Sequence, residues 1–125
     1  RAVWLLSVRN VMHVTCGGQT LLHRRGGGDI WQGLYEFPLI ETDKAADFAE
    51  LAATAAFREL LGNGRWHLRR SVTMPGHQLS HQLLHAVFHR IECDAMPAFP
   101  SVETAALGGY ALPRLVDRYL TKYQM

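Results

Sequence analysis

The chain has 125 residues, of which 48 % are apolar and 19 % charged, and its formal net charge is +2. This length and composition predict one globular domain with a sizeable core and exclude a disordered chain. The small positive charge permits nucleic-acid binding without arguing for it. No apolar run reaches membrane-spanning length and no signal peptide is visible, so we expect a cytoplasmic location, nucleoid-associated if the source is bacterial.

Cys16 and Cys93 are the only cysteines, and they form neither a CxxC pair nor a metal-ligand spacing. A zinc or iron–sulfur site within this chain is therefore not expected, and both cysteines are interpreted as small buried hydrophobic residues. The chain starts at Arg1 and enters an apolar segment directly. We therefore interpret residues 1–125 as a single domain cut from a longer protein.

The first third of the chain predicts a β-hairpin: an apolar run at 2–15, a turn at 16–19 and a return at 20–24. Arg24 and Arg25 follow, and they are either solvated arginines at a strand end or phosphate contacts.

The most distinctive stretch is 23–38, where a run of three glycines precedes a cluster of large apolar residues. Such a cluster after a glycine-rich turn predicts rings that dock into the core. Its apolar members are Ile30, Trp31, Leu34, Tyr35 and Phe37, and Pro38 ends the run.

Residues 44–61 predict the main helix, with Asp43 as N-cap, a polar stripe through Thr54, and Gly62 or Gly64 at its end.

The second half predicts two strands, at 66–74 and 83–91, joined by a turn or loop at 75–81. The first strand carries Arg69 and Arg70, and the second is apolar enough to be central. His85 and His89 on that strand are interpreted as core-edge or DNA-facing residues, with metal binding a minor alternative. Ser101 predicts the cap of a short helical turn, and Pro113 the first turn of a C-terminal helix.

This order of parts resembles the Nudix fold. Residues 30–38 resemble more closely the C-terminal domain of adenine DNA glycosylases of the MutY type, and the likeness extends over nearly the whole chain. The resemblance implies an α/β fold of the α+β kind: an α/β/α sandwich with a mixed β-sheet, the main helix at about 44–61 and a C-terminal helix.

The residues of a working Nudix hydrolase are only partly present. In that family a glycine, a glutamate, an Arg-Glu pair and a Glu-Glu pair lie on a loop–helix–loop, and the later carboxylates converge on Mg²⁺. One carboxylate of three cannot assemble such a site, so we expect no Nudix reaction and interpret Arg58 and Glu59 as a helix-surface pair. The matching positions are Glu50 and Arg58-Glu59; Lys44 replaces the glycine, and Gly62-Asn63 replaces the Glu-Glu pair.

Residues 77–81, His-Gln-Leu-Ser-His, resemble a glycosylase loop in which histidine, any residue, phenylalanine, serine and histidine follow one another. In that family the last three residues contact 8-oxoguanine opposite the target adenine. The resemblance places Leu79 at the wedge, Ser80 at the base edge and His81 beside it. Leucine cannot stack as phenylalanine does, although apolar wedges do enter base steps. From the residues alone, a serine and a histidine that satisfy turn backbone are the commoner case, but the resemblance puts recognition first.

The resemblance therefore implies that this domain recognises 8-oxoguanine opposite adenine, as the C-terminal domain of an A/G-specific adenine DNA glycosylase in base excision repair. It implies a parent enzyme whose N-terminal domain excises adenine and carries a [4Fe–4S] cluster. The chain itself is expected to have no catalytic residue, metal or cofactor, and to be a monomer that partners lesion-containing duplex DNA and that N-terminal domain. The candidate DNA-binding residues are Arg24, Arg25, Arg69, Arg70, His77, Leu79, Ser80 and His81.

Two other function classes stay open. The first is a divergent Nudix hydrolase of nucleoside diphosphate derivatives, with carboxylates supplied by Glu36, Glu41 or Glu103. The second is a protein-binding module that reuses the fold. Metal-dependent phosphate release would identify the first, and failure to bind lesion DNA would favour the second.

Overall fold

The computed structural model describes residues 5–25, 33–43, 47–62, 64–79 and 82–123, with the side chains of 5–7, 75–79 and 82–85 outside that description. Over these residues the secondary structure consists of strands, α-helices and one 3-10 helix. The strands are β1 Leu5–Cys16, β2 Gln19–Leu21, β3 His23–Arg24, β4 Tyr35–Glu36, β5 Leu39–Thr42, β6 Trp66–Leu79, β7 Gln82–Cys93 and β8 Ser101–Glu103. The helices are α1 Phe48–Ala52, α2 Ala55–Leu61 and α3 Arg114–Lys122, and the 3-10 helix is Thr104–Gly109.

The main sheet is six-stranded, in the order β6-β7-β1-β2-β8, with β5 paired to β1 beside this path. β1 and β7 run parallel from Leu5↔Gln82 to Thr15↔Glu92, whereas the other described pairs are antiparallel. The sheet is therefore mixed, which confirms the predicted fold class, and β7 lies between two strands as its apolar sequence predicted. No helix in the described ranges is long and apolar enough to cross a membrane.

Helices cover both faces of the sheet, because successive side chains of a strand point to opposite faces. Met12 of β1 packs with Leu51 of α1 and Phe57 of α2. Val11, its neighbour in sequence, packs on the other side with Tyr119 of α3. These two clusters give the three layers that the sequence predicted.

The predicted docking of rings after the glycine-rich turn is confirmed at Phe37. This side chain is buried and stacks on His13 with ring centroids 4.8 Å apart. Tyr35 meets Tyr110 edge to face, also at 4.8 Å. The earlier part of the stretch, 26–32, lies outside the described residues.

The prediction of one helix over 44–61 is wrong within its described part, which divides into α1 and α2 at Thr54. Thr54 has extended backbone angles, and its Oγ1 accepts a hydrogen bond from the Phe57 amide at 3.2 Å. A threonine with that geometry caps a new helix instead of continuing the old one. The N-cap of α1 is Asp47 and not Asp43, since the Asp47 carboxylate accepts from the Glu50 amide at 2.8 Å.

The predicted loop at 75–81 is also wrong for residues 75–79, because β6 continues to Leu79. Pro75 and Gly76 indicated a turn, yet the ladder between β6 and β7 passes them by an irregularity between Met74 and His77. A bulge of this kind leaves residues without a partner, so a proline that cannot donate a backbone hydrogen bond is tolerated there.

Ser101 begins a strand and does not cap a helical turn. β8 pairs with β2 through Thr20↔Val102, and the helical turn starts three residues later, at Thr104. The predicted C-terminal helix is confirmed as α3, with Pro113 at its N-cap.

Cys16 and Cys93 are half-buried rather than fully buried. Burial, together with neighbouring Cys16 and Asp94, raises the pKa of the Cys93 thiol to about 11, so it stays protonated at neutral pH.

Candidate nucleic-acid interface

The motif at 77–81 lies at one end of the sheet, where β6 and β7 are the two arms of a long hairpin. His77 pairs with Leu84, and the last pair of the ladder is Leu79↔Gln82. Gln82 also pairs with Leu5, the first described residue of β1. Ser80 and His81 lie outside the described residues, and the side chains of His77 and Leu79 are not described.

Arg69 and Arg70 follow one another on β6 and have different surroundings. Arg69 is 60 % exposed and forms an ion pair with Glu92, which lowers the pKa of that carboxylate through a hydrogen bond. Arg70 is half-buried, with its guanidinium 5.0 Å from the centre of the Tyr123 ring in α3 and hydrogen-bonded to Tyr119. Arg69 is therefore accessible to a ligand, and Arg70 joins β6 to α3.

Arg24 and Arg25 lie away from β6 in the fold. They belong to the region of the separate two-stranded sheet β3–β4, which follows β2, and in the main sheet β2 is separated from β6 by β7 and β1. Arg24 is exposed in the ribbon of β3 and β4, opposite Tyr35. Arg25 closes that ribbon: its amide donates to Leu34 O at 2.7 Å, and its Nη1 lies 3.1 Å from Glu36 Oε2. The structure thus places the candidate arginines in two regions and does not gather them into one patch.

Glu36 also faces His23, whose Nε2 lies 3.3 Å from Glu36 Oε1. These two residues line a groove of about 430 Å³ together with Glu59 of α2. Of the three carboxylates predicted for a hydrolase, Glu36 lines this groove, whereas Glu41 lies 3.9 Å from Arg9 and Glu103 is exposed on β8.

The end of α2 differs from a Nudix catalytic helix in backbone as well as in side chains. Gly62 stands where that motif has a glutamate, and it terminates the helix with φ of 59° and ψ of −145°. That left-handed φ favours glycine, so a carboxylate on a continued helix turn would not fit there. The described residues contain no group of three or more His, Cys, Asp or Glu side chains able to hold a metal. The Mg²⁺ implied by the fold family therefore does not match the donors in this part of the chain.

His89 is a core residue, which corrects the prediction that it lies at the core edge or faces DNA. It is 4 % exposed, and its ring stands 5.2 Å from that of Phe48 in α1. Burial lowers the pKa of His89 to about 4, so its imidazole is neutral at pH 7. Its hydrogen bonds to Ser71 and Asn10 are internal to the sheet. The side chain of His85 is not described.

Sequence reasoning missed a row of cations on α3. Arg118 and Lys122 follow Arg114 at intervals of four, and all three side chains are exposed. The i, i+4, i+8 spacing on a predicted helix was the signal that could have found them.

Comparison with known proteins identifies the fold. The NUDIX domain family matches residues 10–122. No curated protein matches the chain. The C-terminal domain of mouse MUTYH, solved in complex with human PCNA, is similar with a TM-score of 0.60 at 16 % identity, over 95 % of this chain and 99 % of that one. A structure from a study of MutT from Aliivibrio salmonicida and Vibrio cholerae is similar with a TM-score of 0.56 at 15 % identity, over 94 % of this chain and 95 % of that one. The Nudix hydrolase RenU from M. smegmatis is similar with a TM-score of 0.60 at 12 % identity, over 93 % of this chain and 85 % of that one. At these identities the structural likenesses show the fold alone.

Proposed function

The chain belongs to the NUDIX domain family, and from that premise we propose that it recognises 8-oxoguanine opposite adenine in duplex DNA. It does so as the C-terminal domain of an A/G-specific adenine DNA glycosylase in base excision repair. The glycosylase reaction and its [4Fe–4S] cluster belong, in this proposal, to an N-terminal domain of the same protein. The chain contributes recognition and no catalytic residue.

The observation that carries the proposal is the position of the recognition motif in the hairpin. Leu79 and Gln82 are the last paired residues of β6 and β7, and the sequence between them is Ser80-His81. The part of the motif that belongs to β6, residues 77–79, therefore lies on a paired strand, and sites built on paired strands are more precise than sites on loops. The bulge after Met74 bends and twists these arms.

The chemistry of serine suits the lesion. Oxidation of guanine adds an oxygen at C8 and turns N7 from a hydrogen-bond acceptor into an N–H donor. A hydroxyl group both accepts and donates, so Ser80 can pair with either changed position. His81 supplies a second polar group beside it. Undamaged guanine offers only an acceptor at N7 and has no oxygen at C8, and the preference for the lesion follows from this difference.

Binding of the 125-residue chain to matched duplexes tests the proposal. We expect a duplex with 8-oxoguanine opposite adenine to bind more tightly than the same duplex with guanine opposite adenine, as measured by fluorescence anisotropy. Equal affinity for the two duplexes, with a folded protein, would contradict the proposal.

One observation favours a second candidate, a Nudix hydrolase of nucleoside diphosphate derivatives. Glu36 and Glu59 line the same groove, so two carboxylates face one space. Against it, Glu36 already accepts from Arg25 and lies beside His23, and Gly62 ends the helix where further carboxylates would be needed. Metal-dependent release of phosphate by the purified chain would favour this candidate over the first.

A further inference from the structure

The helix α3 carries a local excess of positive charge. It holds Arg114, Arg118 and Lys122 against the single carboxylate of Asp117, a surplus of two positive charges in nine residues. The formal net charge of the entire chain is also +2, so the charges of the remaining residues sum to zero.

The three cations form a row on the outer side of the helix. Val116 and Tyr119 are buried against the sheet, which fixes the orientation of α3. Arg114, Arg118 and Lys122 are exposed, and none forms an ion pair with another part of the chain that the structure describes. They border a shallow groove of about 470 Å³ whose other lining residues are Leu112, Asp117 and Thr121.

Of the three cations, only Lys122 suits the helix itself, because it stands in the last turn, where a positive charge complements the macrodipole. Like charges four residues apart on a helix repel one another, and the row contains two such pairs. Arg114 also stands in the first turn, where a positive charge opposes the helix macrodipole. An anion bound along the row would relieve both effects.

We propose that the α3 row, defined as Arg114, Arg118 and Lys122, binds the phosphodiester backbone of duplex DNA independently of sequence and lesion. A step of four residues corresponds to about 6 Å along a helix, so the row extends over about 12 Å with regular spacing. A DNA strand carries one phosphate per roughly 3.4 Å of duplex axis, also with regular spacing. The positive charge of the row is complementary to this array of phosphates, and the proposed function supplies duplex DNA as the polyanion. This proposal deepens the proposed function and rests on it for the identity of the duplex as DNA.

The test measures binding of an undamaged duplex to the full chain as a function of salt. Arg114→Gln with Arg118→Gln removes two charges from the row, and Arg58→Gln with Arg65→Gln removes two exposed charges elsewhere. Each lost phosphate contact lowers the slope of log affinity against log salt by about 0.9. We expect the magnitude of this slope to fall by about 2 in the α3 variant, because two phosphate contacts are lost. Its affinity at 0.1 M salt should fall by about 10- to 100-fold, whereas the slope and affinity of the control variant should stay unchanged. Circular dichroism verifies that both variants are folded.

A variant that is expected to tighten binding strengthens the test. Asp117→Asn removes the one carboxylate in the groove and should tighten binding of the duplex by about twofold or more. Equal losses in the α3 variant and its control, or no gain in Asp117→Asn, would overturn the proposal. Tighter binding of poly-glutamate than of DNA by the row would overturn it as well.

The two proposals fail separately. If the chain does not distinguish 8-oxoguanine from guanine but still loses salt-dependent binding in the α3 variant, lesion recognition fails and the α3 row stands. If lesion preference is present and the α3 variant binds like the control, the row fails and lesion recognition stands.

Discussion

Ser71 Oγ lies 2.8 Å from Nδ1 of His89, and the hydrogen bonds beyond this pair determine which atom carries each proton. Asn10 Nδ2 donates to the backbone carbonyl of Ile40 at 3.0 Å, which fixes the orientation of its amide. Asn10 Oδ1 therefore accepts from His89 Nε2–H at 3.1 Å. Nδ1 is then the acceptor, and the Ser71 hydroxyl donates to it. This polar chain links three adjacent strands, β6, β7 and β1, on the side of α1 and α2.

A second buried histidine takes part in a similar chain on the α3 side. His13 Nδ1 lies 2.8 Å from the Tyr119 hydroxyl, which also accepts a hydrogen bond from Arg70. Because Arg70 can only donate, the hydroxyl proton is available to His13 Nδ1. Burial, with repulsion from Arg90 and Arg70, lowers the pKa of His13 to about 3. Both histidines are thus held neutral in the folded state.

The first prediction is that acid destabilises the domain through these histidines. Their pKa falls from 6.5 in the unfolded chain to about 4 at His89 and about 3 at His13, so between pH 6.5 and 4 the unfolded state binds more protons. The free energy of unfolding should therefore fall as pH is lowered through this window, with each histidine contributing a slope approaching about 1.4 kcal/mol per pH unit. Urea unfolding at several pH values measures the slope. His89→Gln removes one titrating group, so the slope should fall by an amount that corresponds to nearly one proton. An unchanged slope would contradict a neutral, buried His89.

The strands and helices were predicted well from the sequence where a single local pattern determines them. β1 and β7 are both rich in apolar residues, and Pro113 and Gly62 mark helix ends for reasons that are local to the chain. The prediction failed where tertiary pairing overrides a local signal. Pro75-Gly76 is a turn signal by itself, but a bulge in the β6–β7 ladder absorbs it. Ser101 could cap a helix, but β2 offers it a strand partner.

The candidate site divides in the same way. The motif at 77–81 could be recognised from the sequence alone, and the structure adds that residues 77–79 belong to β6. The difference between Arg69 and Arg70 was not visible, since neighbouring arginines on a strand look alike until the residues opposite them are known. Glu92 stands beside one and Tyr123 beside the other.

The second prediction concerns the break between α1 and α2. Thr54 Oγ1 accepts from the Phe57 amide and donates to the Leu51 carbonyl at 2.8 Å. Thr54→Ala removes both hydrogen bonds and should lower the free energy of unfolding by about 1 kcal/mol. Thr54→Ser keeps the hydroxyl and should cost much less. Equal losses in the two variants, measured by urea unfolding, would mean that the cap does not stabilise the helix.

The third prediction separates Arg69 from Arg70. Arg70→Ala removes a hydrogen bond to Tyr119 and packing over Tyr123, and should lower the free energy of unfolding by about 1–3 kcal/mol. Arg69→Ala breaks an exposed ion pair and should leave thermal stability nearly unchanged. If Arg69 contacts phosphate, its loss should weaken lesion and undamaged duplexes alike and flatten the salt dependence. A change in lesion preference on Arg69→Ala would contradict a backbone role.

The fourth prediction is that the chain does not hydrolyse Nudix substrates. Gly62 ends α2 where the motif needs a carboxylate, so Glu59 lacks the partners that would converge on a metal. Assays with Mg²⁺ or Mn²⁺ on 8-oxo-dGTP and on a nucleoside diphosphate sugar should show no turnover. Turnover that disappears in Glu59→Gln, with the fold retained, would support the hydrolase candidate instead.

The proposed function assigns adenine excision to an N-terminal domain of the same protein. The isolated chain should therefore form no abasic site in an adenine:8-oxoguanine duplex.

The last prediction concerns the residues between Leu79 and Gln82. In the proposed parent enzyme, Ser80→Ala with His81→Ala removes the hydroxyl and the imidazole that distinguish N7–H and the C8 oxygen from an undamaged guanine edge. A good base-edge contact contributes about 1–3 kcal/mol of discrimination, so the preference for 8-oxoguanine over guanine should narrow by about ten- to hundredfold. The loss should appear on the lesion duplex, with the guanine duplex little affected, because backbone contacts are shared by both. Single-turnover excision rates and duplex affinities on the two substrates measure it. A double variant that keeps its full preference and an intact circular dichroism spectrum would move the recognition site away from residues 79–81.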